Sequence, residues 1–213
     1  YIVDGLEVIR AWVAGGEDND FGGAACTMFG PDAAVMAEWR RPAGERFPAD
    51  AYWSGENRGR GARVRCHFNS DSLEALGKEE SLLVHVLNAA RDTVRTMEAD
   101  PEGGMDMIRW DMRGTGSFWP SRRKRDEDAR PGGGFPVDPG VYRLVVEVTV
   151  DDAARQWGQT DIEVMADPRR APSTDIMAAQ RAHMDRIYSV SGRADDVYEE
   201  LKRMRRAEDA VSD

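Results

Sequence analysis

WSGENRGRGARVRCHF, residues 53–68, interleaves three glycines (Gly55, Gly59, Gly61) with four arginines (Arg58, Arg60, Arg63, Arg65). A phosphate-cradling loop needs this combination, because free backbone N–H groups converge on the anion beside positive charge. The spacing argues otherwise. Phosphate loops deliver their glycines to a helix N-terminus, as in G-x-x-x-x-G-K-[ST] or G-x-G-x-x-G. Here they run into Ala62–Phe68, where Ala62, Val64, Cys66 and Phe68 alternate with Arg63, Arg65 and His67. That is the period-2 pattern of a half-buried strand. The glycines are therefore expected to supply positive φ or close backbone approach. Arg63 and Arg65 are expected on a solvated face.

Other charged groups give no better chemistry. In RRKRDED, residues 122–128, four cations meet three anions at once, so the run reads as a solvated loop tip rather than a nucleic-acid patch. Asp106 and Asp111 have odd spacing and fall on opposite faces of a strand, which separates them as an acid/base pair. Asp138, Asp151, Asp152, Asp161 and Asp167 flank loops, but a calcium site needs several such oxygens to converge. His67, His85 and His183 lack metal-ligand spacing. Cys26 and Cys66 could form a disulfide or remain two buried thiols. The apolar alternation around Cys66 favours thiols. Of six tryptophans, Trp110 reads as core, whereas Trp53, Trp119 and Trp157 lie near loops and are candidates for stacking on a carbohydrate. No catalytic residue, cofactor site or metal set is nominated.

The chain has 213 residues and a net charge of −10. Such acidity repels phosphate backbones, so no nucleic-acid partner is expected. No run approaches the roughly 18 apolar residues of a membrane span. Tyr1 opens inside an apolar run, YIVDGLEVI, with no signal-peptide pattern. The expectation is a piece of a longer polypeptide, with any targeting signal upstream.

The positioning elements are mostly strands. Residues 1–13 look like one strand. Residues 15–23 are a polar loop, and 24–50 an apolar patch followed by a Pro/Gly-rich connection. Further strands are expected at 62–68, 81–88, 92–98, 105–114, 140–150 and 159–166, with turns at Asn88–Arg91 and Asp100–Gly104. In 105–114 the core face is Asp106, Ile108, Trp110 and Met112. In 140–150 it is Tyr142, Leu144, Val146, Val148 and Val150, with Val145 outward. Residues 114–140 are a long insertion. After Pro168 the period becomes 3.6. Ser173 or Thr174 caps a helix with Ile176, Gln180, His183 or Met184, and Ile187 on one stripe. Gly192 breaks it, and Ala194, Val197, Tyr198, Leu201 and Met204 stripe a second helix. The resulting hairpin packs on itself, on a neighbouring domain or on another copy.

Several of these runs resemble one family: the C-terminal region of bacterial secreted proteins built on sortilin-like, BNR-repeat β-propellers, often labelled glycosyl-hydrolase-like. YIVDGLEVIR looks like a final propeller strand, and MFGPDAAVMAEWR is similar to the strand that leaves it. WSGENRGRGARVRCHF resembles the family's aromatic-x-Gly-Glu-Asn run, with Cys66–His67–Phe68 where aromatic residues are usual. IRWDMRG and FPVDPGVYRLVV are similar to a Trp-Asp-x-Arg … Pro-Gly-x-Tyr pair, and ADPR to an Asp-Pro-Arg exit. The resemblance implies an immunoglobulin-like domain similar to that of the flagellar hook-capping protein, with any chemistry in the propeller.

Together these readings give a mainly β chain ending in α structure. Residues 1–50 are a final propeller strand and linker, 51–168 an Ig-like or fibronectin type III-like antiparallel β-sandwich, and 169–213 a helical hairpin. The expected role is a non-catalytic accessory domain of a secreted, periplasmic or cell-surface protein that caps or positions an upstream β-propeller. The alternative is a carbohydrate-binding module with a glycan partner.

Overall fold

Strand Ala62–Phe68 forms where the alternation requires it, with its four apolar residues at 1% exposure or less. It belongs to a computed structural model that describes residues 5–15, 21–37, 59–77, 82–126, 129–150, 153–169 and 173–212. In chain order the elements are α1 (Leu6–Gly15), a 3₁₀ turn (Phe21–Gly23), β1 (Cys26–Met28), β2 (Ala34–Met36), β3 (Ala62–Phe68) and α2 (Ser70–Leu76). There follow β4 (Leu82–Leu87), β5 (Thr93–Ala99), β6 (Gly104–Trp110), β7 (Arg113–Thr115), β8 (Gly133–Pro136), β9 (Gly140–Val150), β10 (Ala153–Ala166) and α3 (Thr174–Ser212). The protein is mainly β with a C-terminal helix. It divides into two compact units, one of Tyr1–Met112 and Pro139–Ala171, the other of Arg113–Asp138 and Pro172–Asp213.

The first unit holds two sheets. One runs β1-β3-β6, antiparallel throughout. The other runs β2-β10-β9-β4-β5, antiparallel except that β2 lies parallel to β10. Leu144, Val146 and Val148 of β9 are fully buried, as are Val84 and Val86 of β4. Trp110 of β6 is also fully buried, its ring edge-on to Tyr142 of β9 at 5.1 Å between centroids. Ile108 and Met112 are buried beside it, the face that alternation favoured, whereas Asp106 of the same set is exposed. Val145 was expected outward and is buried, because the longer His85 and Gln159 flank it across the sheet. Arg91 takes a positive φ of 68° in the expected turn, whose ends are tied by Asp92 N–H donating to Asn88 Oδ1 at 2.8 Å.

Further expectations are corrected. The lead at 1–13 is not a strand; Leu6–Gly15 is helical, and residues 1–4 fall outside the described set. Its imperfect alternation also suits a helix that turns Glu7, Val8 and Ala11 inward, and Glu7 pairs there with Arg65 of β3. Arg65 is therefore an anchor for α1 and not a solvated side chain. The helical hairpin is also absent. α3 runs unbroken for 39 residues through Gly192, a span of about 58 Å at 1.5 Å per residue. Finally, the apolar patch that opens 24–50 forms β1 and β2, which join different sheets. The onset near Tyr52 lies outside the described residues.

Gly61 shows why glycine precedes β3. Its φ is +92°, and a Cβ there would strike the Trp110 carbonyl. Gly59 has no atom within 4 Å of a built Cβ. Gly61→Ala is expected to destabilise the chain by about 1–3 kcal/mol, and Gly59→Ala to be near neutral. Guanidinium midpoints at unchanged slope are the check.

Candidate functional site

Most groups with chemical potential are held in structural roles. Cys26 and Cys66 are free and buried. The hydrogen bond with Cys66 and then burial push the Cys26 thiol far up, which keeps it neutral and unreactive. Arg143 and Asp161 face each other across β9 and β10, joined at 2.7 and 2.9 Å. The hydrogen bond from Arg143 holds Asp161 below the usual carboxylate range. Asp167 is buried and accepts from the Arg169 backbone N–H at 3.0 Å and from its guanidinium at 2.7 and 2.9 Å. The Asp-Pro-Arg run is thus a closed local turn. His85 bridges Thr96 at 3.1 Å and Glu147 at 3.5 Å. Among the described residues no three of His, Cys, Asp and Glu cluster as metal ligands. No described helix is long and apolar enough to cross a membrane.

The second unit is different. It consists of the excursion 113–138 and α3. β7 and β8 pair as a two-stranded ribbon, pinned by Arg113 donating to the Gly134 carbonyl at 2.8 Å. The rest of the excursion grips α3 along one line. Arg181, Tyr188, Asp195 and Lys202 recur every seventh residue, which keeps them on one helix face. Arg181 pairs with Asp138 at 2.8 Å. Tyr188 packs on Phe135 at 4.9 Å between centroids, and burial pushes its phenol up. Asp195, 3% exposed, is held by the Arg125 guanidinium at 2.8 and 2.9 Å from its two carboxylate oxygens. That guanidinium lies 3.7 Å over the Phe118 ring, and Lys202 donates to the carbonyls of Ser121 and Arg123. The buried Ser191 hydroxyl donates to the Phe118 carbonyl at 2.9 Å.

RRKRDED is therefore only partly a solvated tip. Arg122, Arg123 and Lys124 are exposed, but Arg125 is half-buried and clamps the helix. The sevenfold spacing on α3 carries the signal for this brace. A break at Gly192, expected from glycine's low helix propensity, hides it.

The other side of α3 is open. Ile176, Val190, Val197, Leu201 and Met204 are 53–65% exposed, a strong apolar stripe on a charged chain. Beside it Trp119 and Pro120 wall an open groove of about 600 Å³ that also borders Ile187 and Val190. This stripe and groove are the candidate site, and apolar docking is what they can do. Of the proposed carbohydrate platform, Trp119 is exposed in this unit. Trp157 is half-buried at the register shift of β10 in the other unit, and Trp53 lies outside the described residues.

No protein-family model matches this sequence, and no curated protein matches it either.

Asp195→Ala removes the centre of the brace. Trypsin cleavage within Arg122–Arg125 is then expected to accelerate about tenfold, because cleavage follows the opened population. The helical signal at 222 nm should change little.

Proposed function

We propose that this chain is a non-catalytic accessory module of a larger secreted or cell-surface protein, an Ig-like β-sandwich carrying a helical arm. Its task is to fix the orientation of an upstream β-propeller. The observation that supports this is the stitching of the lead into both sheets. β1 pairs antiparallel with β3, and β2 pairs parallel with β10. α1 is tied to β3 through Glu7 and Arg65, with Gly5 pressed against that guanidinium. Phe29 is buried, edge-on to Phe21 at 5.1 Å. A segment held at so many points transmits orientation, whereas a polar linker would let it vary. The two sheets and the buried Trp110–Tyr142 pair are in keeping with a sandwich core. The resemblance to sortilin-like proteins supplies the propeller.

The alternative, a carbohydrate-binding module, keeps Trp119 as its support, since an exposed indole beside a groove suits stacking on a sugar face. Glycan-array binding that disappears in Trp119→Ala would favour that alternative.

The test is small-angle scattering of the intact parent polypeptide, wild type against Gly158→Val. A Cβ at Gly158 would stand 2.9 Å from the Cys26 carbonyl, so the larger side chain pushes β1 away from β10. The wild type is expected to scatter as one rigid arrangement, and the variant to show a broadened distance distribution. Near-ultraviolet circular dichroism checks that the variant core remains packed. A wild-type joint that is already flexible, or no propeller upstream, sinks the reading.

A further inference from the structure

The stripe on α3 has a repeat of its own. Ile176, Gln180, His183, Ile187, Val190, Ala194, Val197, Leu201 and Met204 follow one another at steps of four and three. The average is 3.5, sustained over four heptads. A 3.5 repeat sustained over four heptads is compatible with a coiled-coil seam. The excursion borders this seam at the groove where Trp119 and Pro120 meet His183, Ile187, Val190 and Ala194. Its brace takes the line of Arg181, Tyr188, Asp195 and Lys202, about 130° away on the helical wheel. One helix thus carries two faces, one occupied within the chain and one exposed.

We propose that α3 pairs with α3 of a second copy of this chain, as an antiparallel two-stranded coiled coil centred between Ala194 and Val197. The second helix of the expected hairpin cannot be the occupant, because α3 is continuous. A second copy fits on three counts.

Packing comes first. Antiparallel pairing about that centre places Ala194 against Val197 of the second copy, Val190 against Leu201 and Ile187 against Met204. The smaller residue meets the larger in the two innermost layers, and each layer recurs on the other side of the twofold axis, as an isologous interface requires. A parallel pair would instead set Ala194 against Ala194 and leave a gap in the middle of the seam.

Charge is the second. The same register sets the exposed Arg193 against Glu200 of the second copy, and Glu200 against Arg193, flanking the centre symmetrically. Such flanking pairs choose partner and orientation. It also sets the seam residues His183 and Glu208 opposite each other. The parallel arrangement would oppose Glu208 to Glu208.

The groove is the third. Trp119 and Pro120 stand beside Ile187 and Val190, where Met204 and Leu201 of the second copy arrive. The groove of about 600 Å³ receives the flexible methionine and covers it on the side away from α3. The excursion therefore holds α3 from one side and extends the docking surface on the other. None of this draws on the accessory reading; it stands on the second unit alone.

Sedimentation equilibrium of the 213-residue chain tests the proposal. A reversible monomer–dimer equilibrium in the micromolar range is expected. Leu201→Asp should weaken it at least about 100-fold, with the melting temperature unchanged at concentrations low enough that both chains are monomeric, since that side chain is exposed in the single chain. Arg193→Glu should weaken the dimer, and adding Glu200→Arg should restore it, because the swap rebuilds the pair across the axis. In a parallel register the double swap would not restore binding, since the arginine introduced by Glu200→Arg would then face Arg205 of the second copy. A chain that stays monomeric, a dimer indifferent to Leu201→Asp, or a double swap that fails to rescue would overturn the proposal.

Discussion

Where β10 crosses β1 there is no room for a side chain. Gly158 stands so close that a Cβ would lie 2.9 Å from the Cys26 carbonyl and 3.3 Å from its sulfur. This contact joins the two sheets of the first unit at the point where the lead enters. The ladder of β10 on β9 shifts register there, and Trp157 takes up the extra residue. Cys26 then falls beside Cys66 instead of facing solvent, and both thiols stay buried. β1 is only three residues long and would be marginal as an isolated edge strand. It persists because its backbone has β3 on one side and the bare glycine of β10 over it.

The second unit solves a different problem. A helix of 39 residues whose C-terminal half carries more charged than apolar side chains gains little from burial there. Gly192 in its middle costs about 1 kcal/mol relative to alanine. The excursion compensates on either side of that glycine. Ser191 is hydrogen-bonded to the Phe118 carbonyl, and Asp195 is clamped by Arg125 under a stacked aromatic ring. The result is a continuous rod fixed along one line. Ile176, Val190, Val197, Leu201 and Met204 stay exposed on it.

Legibility in the sequence follows burial. β3, β4 and β9 are readable because each alternates against one core, and the bounds of β9 match residue for residue. β10 begins six residues earlier than the pattern suggests. Ala153–Gln156 are exposed and pair only through backbone, so no apolar period marks them. β1 and β2 are too short to show a period at all. α2 leaves no trace either, although Asn69 caps it by accepting from the Ser72 N–H at 2.8 Å, because its seven residues bury none of their side chains. The candidate site is legible as stripes but not as a site. Its exposure follows only once the brace has taken another face of the helix.

The lead belongs to the body of the first unit rather than hanging from it, and native-state hydrogen exchange measures this directly. The paired amides of Cys26–Met28 and Ala34–Met36 are expected to exchange only with the global opening that releases Leu144–Val148. Exchange of these amides at loop rates, while Leu144–Val148 stays protected, would contradict it.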